Sequence, residues 1–195
     1  MKLELKIVDL LVRNRERKFT INEVAKSLKE YYSFVHRTVN KLAKEEVILK
    51  EKVGKSYICS INLNSEKTVA LIQLSEIEKK NEFYTSNKEL KLILEDFVKS
   101  AMPIVKPISI VLFGSYAKKT ATKDSDIDIL LIIKSKAEID KITKDIYAKY
   151  GKEINPILIP QNSLKKQKEM VIIKEIIKNH YILYGTWKFI NAVYK

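Results

Sequence analysis

The stretch LFGSYAKKTATKDSDIDILLII, from Leu112 to Ile133, places a Gly114–Ser115 pair at the end of one apolar run. Two aspartates, Asp126 and Asp128, open the next run. Burying charge is costly unless something compensates it, so an apolar strand that begins Asp-Ile-Asp calls for a partner. Residues two apart on a strand project from the same face, which puts the two carboxylates side by side. Neighbouring carboxylates repel and raise each other's pKa. A divalent cation between them removes the conflict, and an all-oxygen ligand set suits magnesium, which keeps part of its water shell and bridges to phosphates; manganese is the alternative ion of similar preference. Gly114 lets backbone approach a phosphate closely, and Ser115 begins a short helix whose N-terminus attracts anions. Carboxylates beside a phosphate cradle form a site for nucleotide chemistry. The plainer alternative is an ordinary strand-to-helix turn followed by an edge strand with a solvated aspartate face.

The surrounding residues alternate between strand and helix patterns. Leu90, Ile93, Leu94, Phe97 and Val98 recur at helical spacing, and Pro103 and Pro107 are expected to end that helix. Buried-strand patterns cover 108–114, 126–133 and 153–159. The run AEIDKITKDIYAKYG between them reads as a helix closed by Gly151. A further helix is expected over 163–179, and HYILYG as a short final strand. Tyr181, Tyr184 and Trp187 suit core packing, with base stacking the alternative.

The first 64 residues read differently. Leu3, Ile7, Leu10 and Leu11 give a first helix. Thr20-Ile-Asn-Glu23 is a capping-box pattern opening a second. Ser33 is expected to cap a third helix with Val35, Val39 and Leu42 inward, and two β-rich runs flank Gly54 as a hairpin. Three helices and a hairpin follow the order of a winged helix-turn-helix, whose third helix enters the DNA major groove while the hairpin tip touches the backbone. Ser33, His36, Arg37, Asn40 and Lys41 on that helix, with Lys52 and Lys55 on the hairpin, are the expected DNA contacts. This segment carries 14 Lys and Arg against 8 Asp and Glu, so phosphate contacts have donors. The alternative is a solvated face on a protein-docking module. Residues 65–82 read as a connecting helix with Val69, Ile72 and Ile77 inward.

The formal charge of +13 favours an anionic partner. No apolar run approaches the ~20 residues that span a bilayer, so no membrane role is expected. The one cysteine, Cys59, excludes an internal disulfide and makes a reducing cytoplasm the expected location.

The segment from Leu112 resembles the signature of the polymerase-β-like nucleotidyltransferase superfamily, particularly its minimal prokaryotic members. The matching residues are Phe113, Gly114 and Ser115, a spacer, then Asp126, Ile127, Asp128 and Ile129. The first 82 residues resemble winged helix-turn-helix regulators, an archaeal type of fusion. The resemblance implies an α+β chain: a winged helix-turn-helix at 1–64, a connecting helix at 65–82, and a nucleotidyltransferase α/β domain with a central mixed sheet at 83–195. It further implies that Gly114 and Ser115 hold the triphosphate of ATP or GTP. Asp126 and Asp128 would bind two magnesium ions, and a nucleoside monophosphate would pass to an acceptor hydroxyl, a protein being one candidate acceptor. The family's third carboxylate aligns with Asn155, an uncharged amide. Glu153, two residues earlier, is the candidate substitute, which completes a catalytic set of Asp126, Asp128, Glu153 and Asn155. Pro156 beside them marks an edge strand or an irregularity. A DNA-binding regulator with a degenerate transferase domain that only binds nucleotide or dimerises stays open, as does an antitoxin-like partner that modifies a separate toxin. A homodimer fits the helix-turn-helix habit of reading two half-sites.

Overall fold

The computed structural model describes residues 1–54, 56–135, 137–163 and 171–194. The chain divides into two compact units, Met1–Glu78 and Lys79–Lys195. Among the described residues no helix is long and apolar enough to cross a membrane.

The first unit contains α1 (Leu3–Arg13), β1 (Phe19–Thr20), α2 (Ile21–Leu28), α3 (Tyr32–Lys44) and the hairpin β2 (Ile48–Val53) and β3 (Ser56–Ile61). Its strands lie in the order β1-β3-β2, all antiparallel. Leu5, Ile7, Val8, Leu11 and Val12 form the buried stripe of α1, and Val35, Val39 and Leu42 that of α3. The capping box on α2 is complete: Glu23 N–H donates to Thr20 Oγ1 at 3.2 Å, and Thr20 N–H donates to Glu23 Oε2 at 2.8 Å. Ser33 does not cap α3. Lys29 ends α2 in a left-handed conformation and turns the chain so that Tyr31 is the extended residue before α3, leaving Ser33 inside the first turn.

The helix α4 runs Glu66–Ser86 and contains the boundary between the units. Val69 and Ile72 are buried as expected, but Ile77 is 43% exposed. The inward face is set instead by Thr68, Ile72, Ser75 and Glu76, all fully or almost fully buried. Arg13 holds Glu76 there with Nη2 donating to both carboxylate oxygens at 3.1 and 3.3 Å, so the buried charge is paired.

The second unit contains α5 (Lys88–Val105), β4 (Ser109–Leu112), α6 (Gly114–Lys118), β5 (Ile127–Ile133), α7 (Asp140–Tyr150), β6 (Ile154–Pro160), α8 (Val171–Lys178), β7 (Tyr181–Tyr184) and α9 (Thr186–Tyr194). The strand order is β6-β5-β4-β7, with β5 and β6 parallel and the other pairs antiparallel. The sheet is therefore mixed. β5 is central, and Ile127, Ile129, Leu131 and Ile133 on one of its faces pack with Leu94 and Phe97 of α5 and Ile142 and Ile146 of α7. Leu130 and Ile132 point to the opposite face and are equally buried. β7 joins the far side of β4, where Ser109 Oγ donates to the Tyr184 carbonyl at 2.8 Å.

Pro103 does not end α5, which continues to Val105 and stops at Lys106 in a left-handed conformation. The proline sits in the last turn, and burial of Phe97, Ala101 and Val105 along one face carries the helix past it. The helix expected over 163–179 is described only from Val171 to Lys178; residues 164–170 lie outside the described residues. Trp187 is 59% exposed, so it is not the core residue its setting suggested, whereas Tyr181 and Tyr184 pack against the core.

Thr20→Ala should lower unfolding stability by ~1 kcal/mol, the usual cost of a lost helix cap, measurable by urea titration. The Thr20 N–H, the Thr20 hydroxyl and Arg17 hold the Glu23 carboxyl at about 2. A depressed carboxyl stabilises above its unfolded value of ~4 and loses that contribution as pH falls toward the folded one. Glu23→Gln should therefore be less stable than wild type at pH 7, with the two converging near pH 2.

Candidate functional site

Antiparallel pairing of β4 with β5 and parallel pairing of β5 with β6 bring three chain segments to one end of the sheet: the exit of β4, the entry to β5 and the entry to β6. Gly114 and Ser115 open α6 at the first, Asp126 and Asp128 lie at the second, and Glu153 and Asn155 at the third. The Phe113 N–H donates to the Asp128 carbonyl at 3.0 Å, and the Ile127 N–H to the Glu153 carbonyl at 2.9 Å. These backbone bonds fix the spacing of all three segments before any side chain contributes.

Gly114 has φ +68°, a conformation that favours glycine. A Cβ at this position would overlap the Asp128 carboxylate, with Cγ only 2.7 Å away. The glycine therefore serves two needs: the tight turn into α6, and room for Asp128 beneath it. Register pairs Asp128 with Asn155, whose Nδ2 donates to Asp128 Oδ1 at 3.2 Å. Burial pushes the Asp128 carboxyl up, and the negative charge of Asp126 pushes it the same way; the Asn155 hydrogen bond and Lys118 pull against them. A positive charge set between Asp126 and Asp128 would relieve that tension.

Asp126 is exposed just ahead of β5, while Asp128 is half-buried. These are the two carboxylates that could hold a divalent cation, with the Asn155 amide oxygen as an uncharged third donor. Among the described residues no group of three or more His, Cys, Asp or Glu gathers to hold a metal. Glu153 is exposed and borders a shallow hollow of about 290 Å³ with Thr143, Lys144 and Tyr147 of α7. Asn155, not Glu153, is the β6 side chain bonded to Asp128.

Lys118 was not singled out by the sequence motif. It stands one turn after Ser115, acts on Asp128 and forms an ion pair with Glu175. Its spacing from Ser115 on α6 was the available signal. Tyr116 was also missed; its hydroxyl donates to the Ser125 carbonyl at 3.4 Å and ties α6 to the loop before Asp126. The loop carries a second tie, Thr122 N–H to Ser125 Oγ at 2.8 Å.

In the first unit, Ser33, Arg37, Lys41 and Lys52 are exposed, while His36 and Asn40 are half-buried. Lys55 lies outside the described residues. Asn40 is engaged within the unit: Lys50 Nζ donates to its Oδ1 at 2.6 Å, and its Nδ2 lies 3.3 Å from the His36 ring nitrogens. Lys41 faces Glu4 at 3.5 Å. The N-terminal turn of α3 also presents aromatics that sequence reasoning passed over: Tyr31, Tyr32 and Phe34 are 77%, 53% and 48% exposed. Tyr32 stacks on His36, and the Arg37 guanidinium lies 5.1 Å from the centre of the Phe34 ring.

Residues 88–184 match the family described as nucleotidyltransferase domain. A Methanocaldococcus jannaschii protein named as a candidate protein adenylyltransferase, MJ1305, is 36% identical over 112 residues, covering 52% of this chain and 76% of that protein. A second protein of the same organism and description, MJ0604, is 35% identical over 77 residues, covering 38% of this chain and 76% of its own length. A third, MJ1547, is 37% identical over 81 residues and is covered over 57% of its length. No solved structure matches the chain.

Gly114→Ala should destabilise the protein by more than the ~1–2 kcal/mol that a left-handed non-glycine residue costs, because the Asp128 carboxylate must also move. In an Asp128→Ala background the same substitution should cost less. Thermal melts of the four proteins in this double-mutant cycle would measure the coupling.

Proposed function

Because the chain belongs to the nucleotidyltransferase domain family, we propose that it transfers a nucleoside monophosphate from a nucleoside triphosphate, with magnesium, to a hydroxyl on an acceptor. The observation that carries this reading is the Asp128 carboxylate lodged under Gly114 and hydrogen-bonded to Asn155, with Asp126 two residues away. Gly114 and Ser115, at the start of α6, are the residues for the triphosphate, since the backbone there can approach an anion closely. Asp126 and Asp128 would hold magnesium, which supplies charge neutralisation at the phosphates and orients the attacking oxygen. The acceptor oxygen forms a bond to the α-phosphorus, the α–β bridging bond breaks, pyrophosphate leaves with the electron pair, and the hydroxyl proton passes to water. Asn155 accepts no proton; its amide holds the Asp128 carboxylate in place. The names of the relatives favour ATP as donor and a protein as acceptor.

The first unit is the candidate nucleic-acid module. Its helix order, its antiparallel hairpin, and the exposed Arg37, Lys41 and Lys52 support a winged helix-turn-helix that lays α3 in a groove. A second reading, a regulator whose transferase domain binds nucleotide without reacting, is favoured by one observation: the β6 group beside Asp128 is an amide, not a third carboxylate.

Titration calorimetry with Mg·ATP and Mg·GTP tests the site directly. Wild type should bind in a magnesium-dependent way, and Asp126→Asn/Asp128→Asn should lose the binding; equal binding by both proteins would sink the proposal. Fluorescence anisotropy with duplex DNA tests the module. Lys52→Ala should reduce the slope of log K against log salt by about 1 if this residue contacts a phosphate.

A further inference from the structure

We propose that a trough on the second unit, alongside α6, docks an acidic polypeptide segment that presents the accepting hydroxyl, an inference that rests on the transfer reading above. Two open hollows of about 570 and 560 Å³ share Ser86, Asn87, Tyr116 and Ala121, so they form one continuous depression. Buried core side chains back it. Phe83 stacks on Tyr181 with ring centres 4.2 Å apart at one end, and Leu90 and Ile93 line the other. Five lysines stand around it, Lys79 and Lys119 at the first hollow and Lys88, Lys123 and Lys152 at the second, against two acids, Glu82 and Glu89.

The trough adjoins every segment of the transfer site. Tyr116 on its wall follows Ser115 directly. Lys123 belongs to the loop that leads into Asp126, and Lys152 precedes Glu153 at the entry to β6. The loop is braced on both sides, by the Tyr116 hydroxyl on the Ser125 carbonyl and by Lys152 Nζ on the Lys123 carbonyl. A chain lying in the trough would thus touch the residues that flank Ser115, Asp126 and Glu153 in the sequence.

The lining selects the class of occupant. The lysine excess attracts an anionic chain. Glu82 and Glu89 interrupt the positive rim and would repel the unbroken charge of a phosphodiester backbone. A polypeptide with intermittent acids meets both conditions.

The test uses the full chain with magnesium and ATP, and two fluorescent random copolymers as probes, Glu–Tyr and Lys–Tyr. Binding is read by anisotropy. Wild type should bind Glu–Tyr and not Lys–Tyr. Lys88→Glu/Lys123→Glu should weaken Glu–Tyr binding about tenfold or more. The first of these substitutions places an acid in the opening turn of α5, where it is tolerated, and a thermal melt checks that the variant folds. Lys134→Glu/Lys141→Glu, which makes the same charge change on exposed residues away from the trough, should weaken binding by no more than about twofold. Equal weakening by both variants would mean attraction to net charge alone and would overturn the proposal. So would the absence of Glu–Tyr binding in a wild type that binds Mg·ATP. The proposal also fails if an oligo-dT probe binds and its binding, not that of Glu–Tyr, depends on Lys88 and Lys123. A wild type that does not bind Mg·ATP removes the transfer reading itself, and the acceptor role with it.

Discussion

The carboxylate of Asp128 occupies the space that a side chain at position 114 would need, and much of the second unit is arranged around that contact. A left-handed residue at the exit of β4 starts α6, and α6 carries Lys118 toward Asp128. The same carboxylate sits at the entry to the central strand, in register with Asn155 on β6. An ionisable group placed among Ile127, Ile129 and their neighbours loses hydration. The fold supports it with one amide hydrogen bond and one lysine, and leaves a second carboxylate two residues away. Such a site has a strong preference for added positive charge, which gives physical content to the family membership.

Much of this could be read from residue order. The apolar runs ISIVL and IDILLII marked the strands, and Gly114 and Gly151 both take the positive φ that their places at helix ends required. The capping box at Thr20 is local chemistry, complete within four residues, and so was visible in advance. What stayed hidden depended on partners distant in the chain. Ile77 fits an apolar stripe on α4, yet the stripe's direction is decided by Arg13, which draws Glu76 inward from 63 residues away. Pro103 has the propensity of a helix end, but the packing of Ala101 and Val105 carries α5 past it. Ser33 has the right chemistry for a cap, but the turn at Lys29 puts Tyr31 in the N-cap position. In the site, the two aspartates stood out as charges opening an apolar run. The choice between Glu153 and Asn155 needed the β5–β6 register, which no local pattern contains.

The two units use their surface charge differently. On the first, the residues expected to meet an external partner are partly spent on internal contacts: Asn40 accepts from Lys50, and Lys41 faces Glu4. What remains outward at the start of α3 is a mixture of Arg37 with Tyr31, Tyr32 and Phe34, a combination able to stack as well as to pair with anions. On the second, lysines cluster where the chain turns between elements, at α6, at the loop before β5 and at the entry to β6. Their placement follows the end of the sheet and not any one helix face.

The pairing of β7 with β4 has a consequence for how the protein is made. β4, β5 and β6 follow one another closely and can pair as they emerge from the ribosome. The outer side of β4 must wait for Tyr181–Tyr184, some seventy residues later, before its backbone groups find partners. Gly185 then fits against the Ile108 carbonyl, where no larger residue could pass without displacing backbone. Until that late strand arrives, β4 is an unpaired edge carrying Ile110 and Leu112, a template for pairing with another chain. The nascent protein is therefore most exposed to misassembly after the site's own strands have met and before β7 arrives.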